Sequence, residues 1–339
     1  MRTRIDGKLL SIFLLALLLR VALGIAVREP VDRGDMARYE SLAIEGGLST
    51  QQEPLYPLLL RLIYRLFGVH DHRAIFTIQG FMSAIVVLLA YSFTLGMFDR
   101  KAALIAALLC AVYPNFILYN LTVLPETALI LMTASIAAVA ASGMRDASKA
   151  CIGGAVTGVG ILTSASFAFF VPGLLIVLKR RLLFLLALAI TVAPWIARNA
   201  VVYGKLAPIY DTSSFNIGVA QYSRGWMGDI ESVYSRTAAL YQWHWGESSL
   251  KQDGGTRTIP VFAIRKFSFL AILLFGCIAI ARYIRREHLR VILPALIFVA
   301  LQIMIAMVYT IRYRALLEIF LIAYIGFLLS RTRGAADAA

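Results

Sequence analysis

Ten apolar runs, too long and too closely spaced to be shielded by anything but lipid, dominate this chain. They are Leu9–Val27, Ala74–Phe98, Ala102–Leu118, Leu121–Ala141, Ala150–Leu162, Phe167–Leu178, Leu182–Ile196, Ile259–Ala281, Val291–Tyr309 and Ala315–Leu329. A helix needs about 20 apolar residues to cross a bilayer, and Ala150–Leu162 and Phe167–Leu178 fall well short of that. The chain is 60% hydrophobic and 15% charged, against roughly 25% charged for a soluble domain. Water is therefore not its main solvent, which excludes a cytoplasmic enzyme, a disordered tail and a secreted disulfide module. The expected fold class is an all-α polytopic membrane protein with these ten helical segments, forming one transmembrane domain over residues 1–339.

Orientation follows from the short loops. Arg2, Arg4 and Lys8 flank the first run and no A-x-A cleavage site follows it, so a retained signal anchor is expected. With the N-terminus inside, Arg100-Lys101, Lys179-Arg180-Arg181 and Arg282, Arg285, Arg286 all fall in short internal turns. That asymmetry predicts both termini inside. It also favours a hairpin turning at Thr163-Ser164-Ala165-Ser166, because a single helix over 150–178 would carry Lys179–Arg181 to the wrong side. Gly154-x-x-x-Gly158 in this hairpin is a helix-packing pattern.

Two longer external regions remain, 28–73 and 199–258. In the first, Pro54–Phe67 is an apolar stretch interrupted by Arg61 and Arg65, which share a helical face. That pattern belongs to a helix lying in the membrane interface. The second is read as substrate-proximal.

The net charge of +14, from 33 Lys+Arg and 19 Asp+Glu, does not point to nucleic acid, because these cations flank apolar runs as topology signals and headgroup anchors. Cys110, Cys151 and Cys277 lie inside apolar runs and read as small buried residues. His70-Asp71-His72 is the one dense group of metal-ligating types, but zinc usually takes four ligands and no metal site is expected. No cofactor is required by the sequence, and a divalent cation stays open.

Carboxylates at a membrane are costly and usually functional. Asp35-Met-Ala-Arg-Tyr39-Glu40-Ser-Leu-Ala43 reads as a short helix with Asp35, Tyr39 and Ala43 on one face. Asp35 either starts that helix as a solvated cap or works at the mouth of the bundle. Pro125-Glu126 makes a sound helix start, and places a second acid at the same side of the membrane. Arg20 lies within the first span, Arg198 ends the seventh, and Arg312 and Arg314 precede the tenth, with Glu318 one turn past Arg314 and paired to it. Arg265 and Lys266 read as snorkelling cations. Arginines facing a bundle interior suit a phosphate ligand, since the guanidinium fork matches phosphate oxygens. Tyr39, Tyr56, Tyr222 and Trp226 either line the substrate site or form an interfacial aromatic belt. There is no P-loop, no G-x-G-x-x-G after a strand and no D-x-D motif, so a nucleotide donor is not expected. A lipid phosphate fits better.

These residues resemble the integral-membrane GT-C glycosyltransferases, in particular the protein mannosyltransferase-like and aminoarabinose transferase-like branch. The resemblance rests on Asp35-x-x-x-Tyr39-x-x-x-Ala43, Glu53-Pro54-Leu55-Tyr56-Pro57-Leu58, Tyr113-Pro114 through Glu126-Thr127, Ala193-Pro194-Trp195-Ile196-Ala197-Arg198-Asn199 and Arg312-Tyr313-Arg314. They occur in the family's order from about residue 20 to 325. Thr163-Ser164-Ala165-Ser166 departs from the Leu-Thr-Arg-Pro of many members, and no appended soluble domain is expected.

The resemblance implies a GT-C fold and an inverting transfer of a hexosyl or pentosyl group. The donor would be a polyprenyl-phosphate sugar and the acceptor an extracytoplasmic lipid, glycan or protein. It makes Asp35 the catalytic carboxylate and Glu126 the second-loop acid. Arg312, Arg314, Arg198 and Arg20 become the candidates for the donor phosphate, with Tyr39, Tyr56, Tyr222 and Trp226 in the substrate site. The expected location is a bacterial inner membrane, with the site facing outward. The rival readings are a transporter or flippase for a lipid-linked sugar and a non-catalytic subunit of an assembly complex. Inverted repeats and midplane acids, which would favour transport, are not evident. Topology is open to direct test. Single cysteines at Ser49 and Ser248 are expected to react with a membrane-impermeant thiol reagent in intact cells, and one at Ser148 is expected to stay protected. The reverse pattern overturns both the orientation and the function built on it.

Overall fold

Aspartates start three of the helices. Asp6, Asp71 and Asp99 accept the backbone N–H groups of Lys8 at 3.1 Å, Ala74 at 3.1 Å and Ala102 at 2.9 Å, satisfying amides that have no partner in a first helical turn. The computed structural model describes residues 6–30, 36–45, 53–203, 259–305 and 315–336. Among these every regular element is helical. The first half of the chain gives α1 (Gly7–Ala26), α2 (Met36–Glu45), α3 (Leu55–Phe67), α4 (His72–Met97), α5 (Arg100–Val112), α6 (Pro114–Tyr119) and α7 (Glu126–Ala141). The rest gives α8 (Asp146–Thr163), a 3-10 turn (Ala165–Phe169), α9 (Phe170–Val177), α10 (Arg181–Tyr203), α11 (Ile259–Tyr283), α12 (Arg286–Ile305) and α13 (Ala315–Ala336).

The all-α architecture is the expected one, but ten full spans are not. Among the described residues Gly7–Ala26, His72–Met97 and Arg181–Val202 are long and apolar enough to cross a membrane, while Glu126–Ala141, Ala165–Val177, Phe267–Tyr283 and Val291–Leu301 are shorter. Proline explains two of the shortfalls. The run from Ala102 divides at Tyr113-Pro114 into α5 and α6, and the run from Leu121 becomes helical only after Pro125. The predicted break at Thr163–Ser166 is present, with Ser164 extended between α8 and the 3-10 turn. In the other direction, α10 continues past Ile196 to Tyr203.

Small residues set the closest packing. A Cβ on Gly154 would lie 2.3 Å from the Phe184 carbonyl oxygen, and one on Gly158 would lie 2.7 Å from the Thr191 Cβ. The GxxxG pattern thus seats α8 against α10. On α1, Ala16, Arg20 and Gly24 form the buried stripe, and Leu14, Leu18 and Ile25 are exposed on its outer side, as lipid contact requires. α3 buries Tyr56, Leu60, Ile63 and Tyr64 and exposes Leu58, Leu62, Leu66 and Phe67. This is the two-sided pattern of an interfacial helix. With α2 it closes a second, smaller core of Tyr39, Ala43, Tyr56, Phe76, Leu121 and Leu124 at one end of the bundle.

Arg20 holds α1, α4 and α5 together. Its Nε donates to Ser83 Oγ at 2.9 Å, Nη1 to the carbonyls of Ala111 at 2.7 Å and Ala16 at 3.2 Å, and Nη2 to the carbonyl of Cys110 at 3.0 Å. Pro114 has no N–H, so a helix continuing through it would leave the Cys110 carbonyl without its usual donor four residues on. Arg20 supplies that donor from another helix. The guanidinium read from sequence as a phosphate candidate is thereby committed to ending α5. Arg20→Met should lower stability by at least about 1.5–3 kcal/mol, the range for one hydrogen bond to a charged group. Thermal unfolding in detergent tests this, and a variant as stable as wild type would free Arg20 for a ligand role.

Candidate active site

At the end of the bundle where α2 and α3 lie, the chain between α6 and α7 runs without regular structure from Asn120 to Pro125, yet its residues are buried. Backbone there cannot rely on water. Gln79, itself buried on α4, answers with its side-chain amide. Nε2 donates to the carbonyls of Thr122 at 2.6 Å and Asn120 at 3.2 Å, and Oε1 accepts the Tyr56 hydroxyl at 3.3 Å. Thr127 donates to Asn120 Oδ1 at 3.3 Å. The buried Asn120 is thus part of the packing.

The face predicted from Asp35-x-x-x-Tyr39-x-x-x-Ala43 is the buried face of α2, where Tyr39 and Ala43 are enclosed together with Glu40. Asp35 precedes the described part of this helix. Tyr39 meets Tyr56 edge to face, with centroids 5.2 Å apart. Burial first, and then the charge of Glu126, push the Tyr56 phenol above its ordinary pKa, so it stays a donor. Glu126 is 4% exposed and opens α7 behind Pro125. Glu53, just before α3, accepts the Ala165 N–H at 2.7 Å. It thereby ties the first-loop motif to the 3-10 turn at the break after α8. Burial raises its carboxyl pKa against the opposing effect of that bond.

A second polar group is continuous with the first through α6. Asn115 donates to Glu318 Oε1 at 3.1 Å and Oε2 at 3.3 Å, and to the Tyr113 hydroxyl at 3.1 Å. Arg265 donates from Nε to Asn115 Oδ1 at 3.3 Å and lies 4.6 Å above the centre of the Tyr119 ring. Arg265 is 4% exposed, so it does not snorkel. It points into the bundle, and sequence reasoning missed it because an arginine near a helix start has the same spacing in either role. Glu318 also accepts from Asn115, and the Arg314 read from the i+4 spacing as its partner lies outside the described residues. Asn115 and Gln79 were missed as well. Their one signal was an amide inside an apolar run. Arg198 is partly buried, stacks 4.9 Å from the Trp195 ring centre and donates to Asn199 Oδ1 at 2.9 Å.

The structure therefore brings Tyr39, Tyr56 and Glu126 into one seam and adds Glu53, Gln79, Asn115, Arg265 and Glu318 to it. Arg20 and Arg198 are tied elsewhere by the bonds given above. Asp35, Arg312, Arg314, Tyr222 and Trp226 lie outside the described residues. A buried seam of acids, phenols and a guanidinium in an apolar bundle can do two things chemically. Its carboxylates can take a proton, and its cation can hold an anion.

Residues 51–203 match the family described as dolichyl-phosphate-mannose-protein mannosyltransferase. No curated protein sequence matches the chain. Its fold is similar to that of ArnT from Cupriavidus metallidurans bound to undecaprenyl phosphate. The TM-score is 0.63 at 15% identity, covering 95% of this chain and 60% of that one. It is also similar to the apo Archaeoglobus fulgidus oligosaccharyltransferase, with a TM-score of 0.60 at 14% identity over 98% of this chain and 52% of that one. The same oligosaccharyltransferase in complex with zinc and sulfate gives 0.61 at 15% identity, over 97% and 49%. The chain spans about half to three fifths of these structures. Its described residues are all helical, three of the helices are long and apolar enough to cross a membrane, the fold is like that of ArnT and of the oligosaccharyltransferase, and residues 51–203 match the dolichyl-phosphate-mannose-protein mannosyltransferase family.

Proposed function

We propose that this protein is a membrane glycosyltransferase that moves a sugar from a polyprenyl phosphate to a hydroxyl on an extracytoplasmic lipid, glycan or protein. The observation that carries the reading is the concentration of buried polar side chains at this end of the bundle, Tyr39, Tyr56, Gln79 and Glu126 together with Asn115, Arg265 and Glu318. Burying such groups is expensive without a task. The fold shared with an ArnT that holds undecaprenyl phosphate supports a lipid-phosphate donor.

In this reading Asp35, four residues before the buried Tyr39, removes the acceptor hydroxyl proton. The acceptor oxygen attacks the anomeric carbon as the bond from that carbon to the phosphate oxygen breaks, inverting the centre. The polyprenyl phosphate leaves with the electron pair. General-base catalysis of this kind is typically worth about 10²–10⁴-fold. The leaving phosphate gains charge in the transition state, so cations aimed at it accelerate the step. Arg312 and Arg314 are the first candidates, with Arg265 now added and Arg198 behind them. Tyr39, Tyr56, Tyr222 and Trp226 border the substrates, and Glu126 acts beside Asp35. The protein sits in a bacterial inner membrane with both termini inside and the seam facing outward.

Two measurements on purified protein test this. Asp35→Asn should bind donor normally and lose transfer by at least about 10²-fold, with Glu126→Gln losing less because the acid also starts α7. Arg312→Ala should weaken donor binding by roughly 10–150-fold, the equivalent of one charge-assisted bond of about 1.5–3 kcal/mol. Wild-type turnover by Asp35→Asn removes the general base. Movement of intact donor across the membrane without cleavage would instead make the protein a flippase.

A further inference from the structure

The turn between α3 and α4 carries two histidines that the transfer reaction does not use. Gly68 has φ +112° and His70 has φ +62°, a left-handed conformation uncommon for any residue with a side chain, though histidine tolerates it better than most. The consequence is that two imidazoles two residues apart reach the same carboxylate. His70 Nδ1 lies 3.2 Å and His72 Nε2 3.1 Å from Glu40 Oε1, and the Tyr64 hydroxyl donates to that same oxygen. Asp71 is not part of the group, since its side chain caps α4. Glu40 is buried on α2, and His72 stacks on Phe76, which orients its ring.

Glu40 Oε1 thus meets one hydroxyl donor and two imidazole nitrogens, each of which can donate to it or, in its other tautomer, turn a lone pair towards the same point. The arrangement suits a cation. In a tetrahedral zinc site with bonds of about 2.0–2.1 Å, neighbouring ligand atoms stand about 3.3–3.4 Å apart. The two imidazole-to-carboxylate separations are close to that edge, and all three ligand atoms lie within 4.8 Å of one another. Two imidazole nitrogens and one carboxylate oxygen form the donor set of a borderline divalent ion, with a fourth position open to water. Burial and the Glu40 carboxylate raise the Tyr64 phenol pKa. Tyr64 therefore stays protonated and serves as a hydrogen-bond donor to the ligating carboxylate, the kind of outer contact that orients metal ligands.

We propose that Glu40, His70 and His72 form a binding site for a zinc-class divalent ion that clips α2 to the turn between α3 and α4. The bound ion fixes the short helix that follows Asp35. Glu40, His70 and His72 take no part in the proposed transfer, so the existence of the ion site does not depend on the glycosyltransferase reading.

The test uses full-length, untagged protein in detergent, stripped with a chelator and titrated with Zn²⁺ against a chromophoric competitor. Wild type should bind one equivalent saturably. Glu40→Gln and His72→Ala should each weaken that binding at least tenfold. His70→Gly, which keeps the left-handed backbone at this exposed turn without strain, should do the same, which guards against loss through misfolding. Substituted Co²⁺ should give visible ligand-field absorption in wild type that these variants lack. No saturable binding by wild type, or equal binding by wild type and His70→Gly, overturns the site.

Discussion

Inside a bilayer no water is at hand to satisfy backbone broken out of a helix, and this constraint organises the structure. The chain breaks its helices at Tyr113-Pro114 and again across Asn120–Pro125. Each break is accepted only because a side chain from another helix bonds the stranded carbonyls. Arg20 on α1 serves the end of α5, and Gln79 on α4 serves the turn after α6. These two buried polar side chains fix where α6 and the start of α7 lie, and therefore where Glu126 stands.

Once those breaks are held, the polar seam follows from neighbouring contacts. Gln79 reaches Tyr56, which meets Tyr39 on α2. On the other side, Tyr119 at the end of α6 lies under Arg265, and Asn115 at its start joins Arg265 to Glu318. Helices far apart in sequence thus meet around one short irregular segment. Irregular backbone at membrane depth is tolerated where protein buries it, and such places are where polar ligands can be received.

The arginines show why chemistry could be read from sequence more easily than roles. All were visible as cations in or beside apolar runs, and all fitted phosphate binding by charge. In the structure Arg20 is consumed by helix ends, Arg198 stacks on Trp195, and Arg265 turns inward over Tyr119. Charge and spacing are identical in a snorkelling and an inward-facing arginine. Only the neighbouring helix distinguishes them. The same holds for Glu318, which accepts from Asn115, 203 positions away.

The sequence by itself determined the solvent, the helical class, a helix at Leu55–Phe67, the break after α8 and the buried face carrying Tyr39 and Ala43. Each of these depends on local periodicity, proline or capping, which act within a few residues. Tertiary structure alone decided that the run from Ala102 splits around an arginine from α1, that Glu53 reaches the turn at Ala165, and that Glu40 meets His70 and His72. Those outcomes hang on pairs 30 to 112 positions apart. A bilayer makes each unpaired polar group so costly that the packing must find it a partner, but nothing local in the chain says which partner it will be.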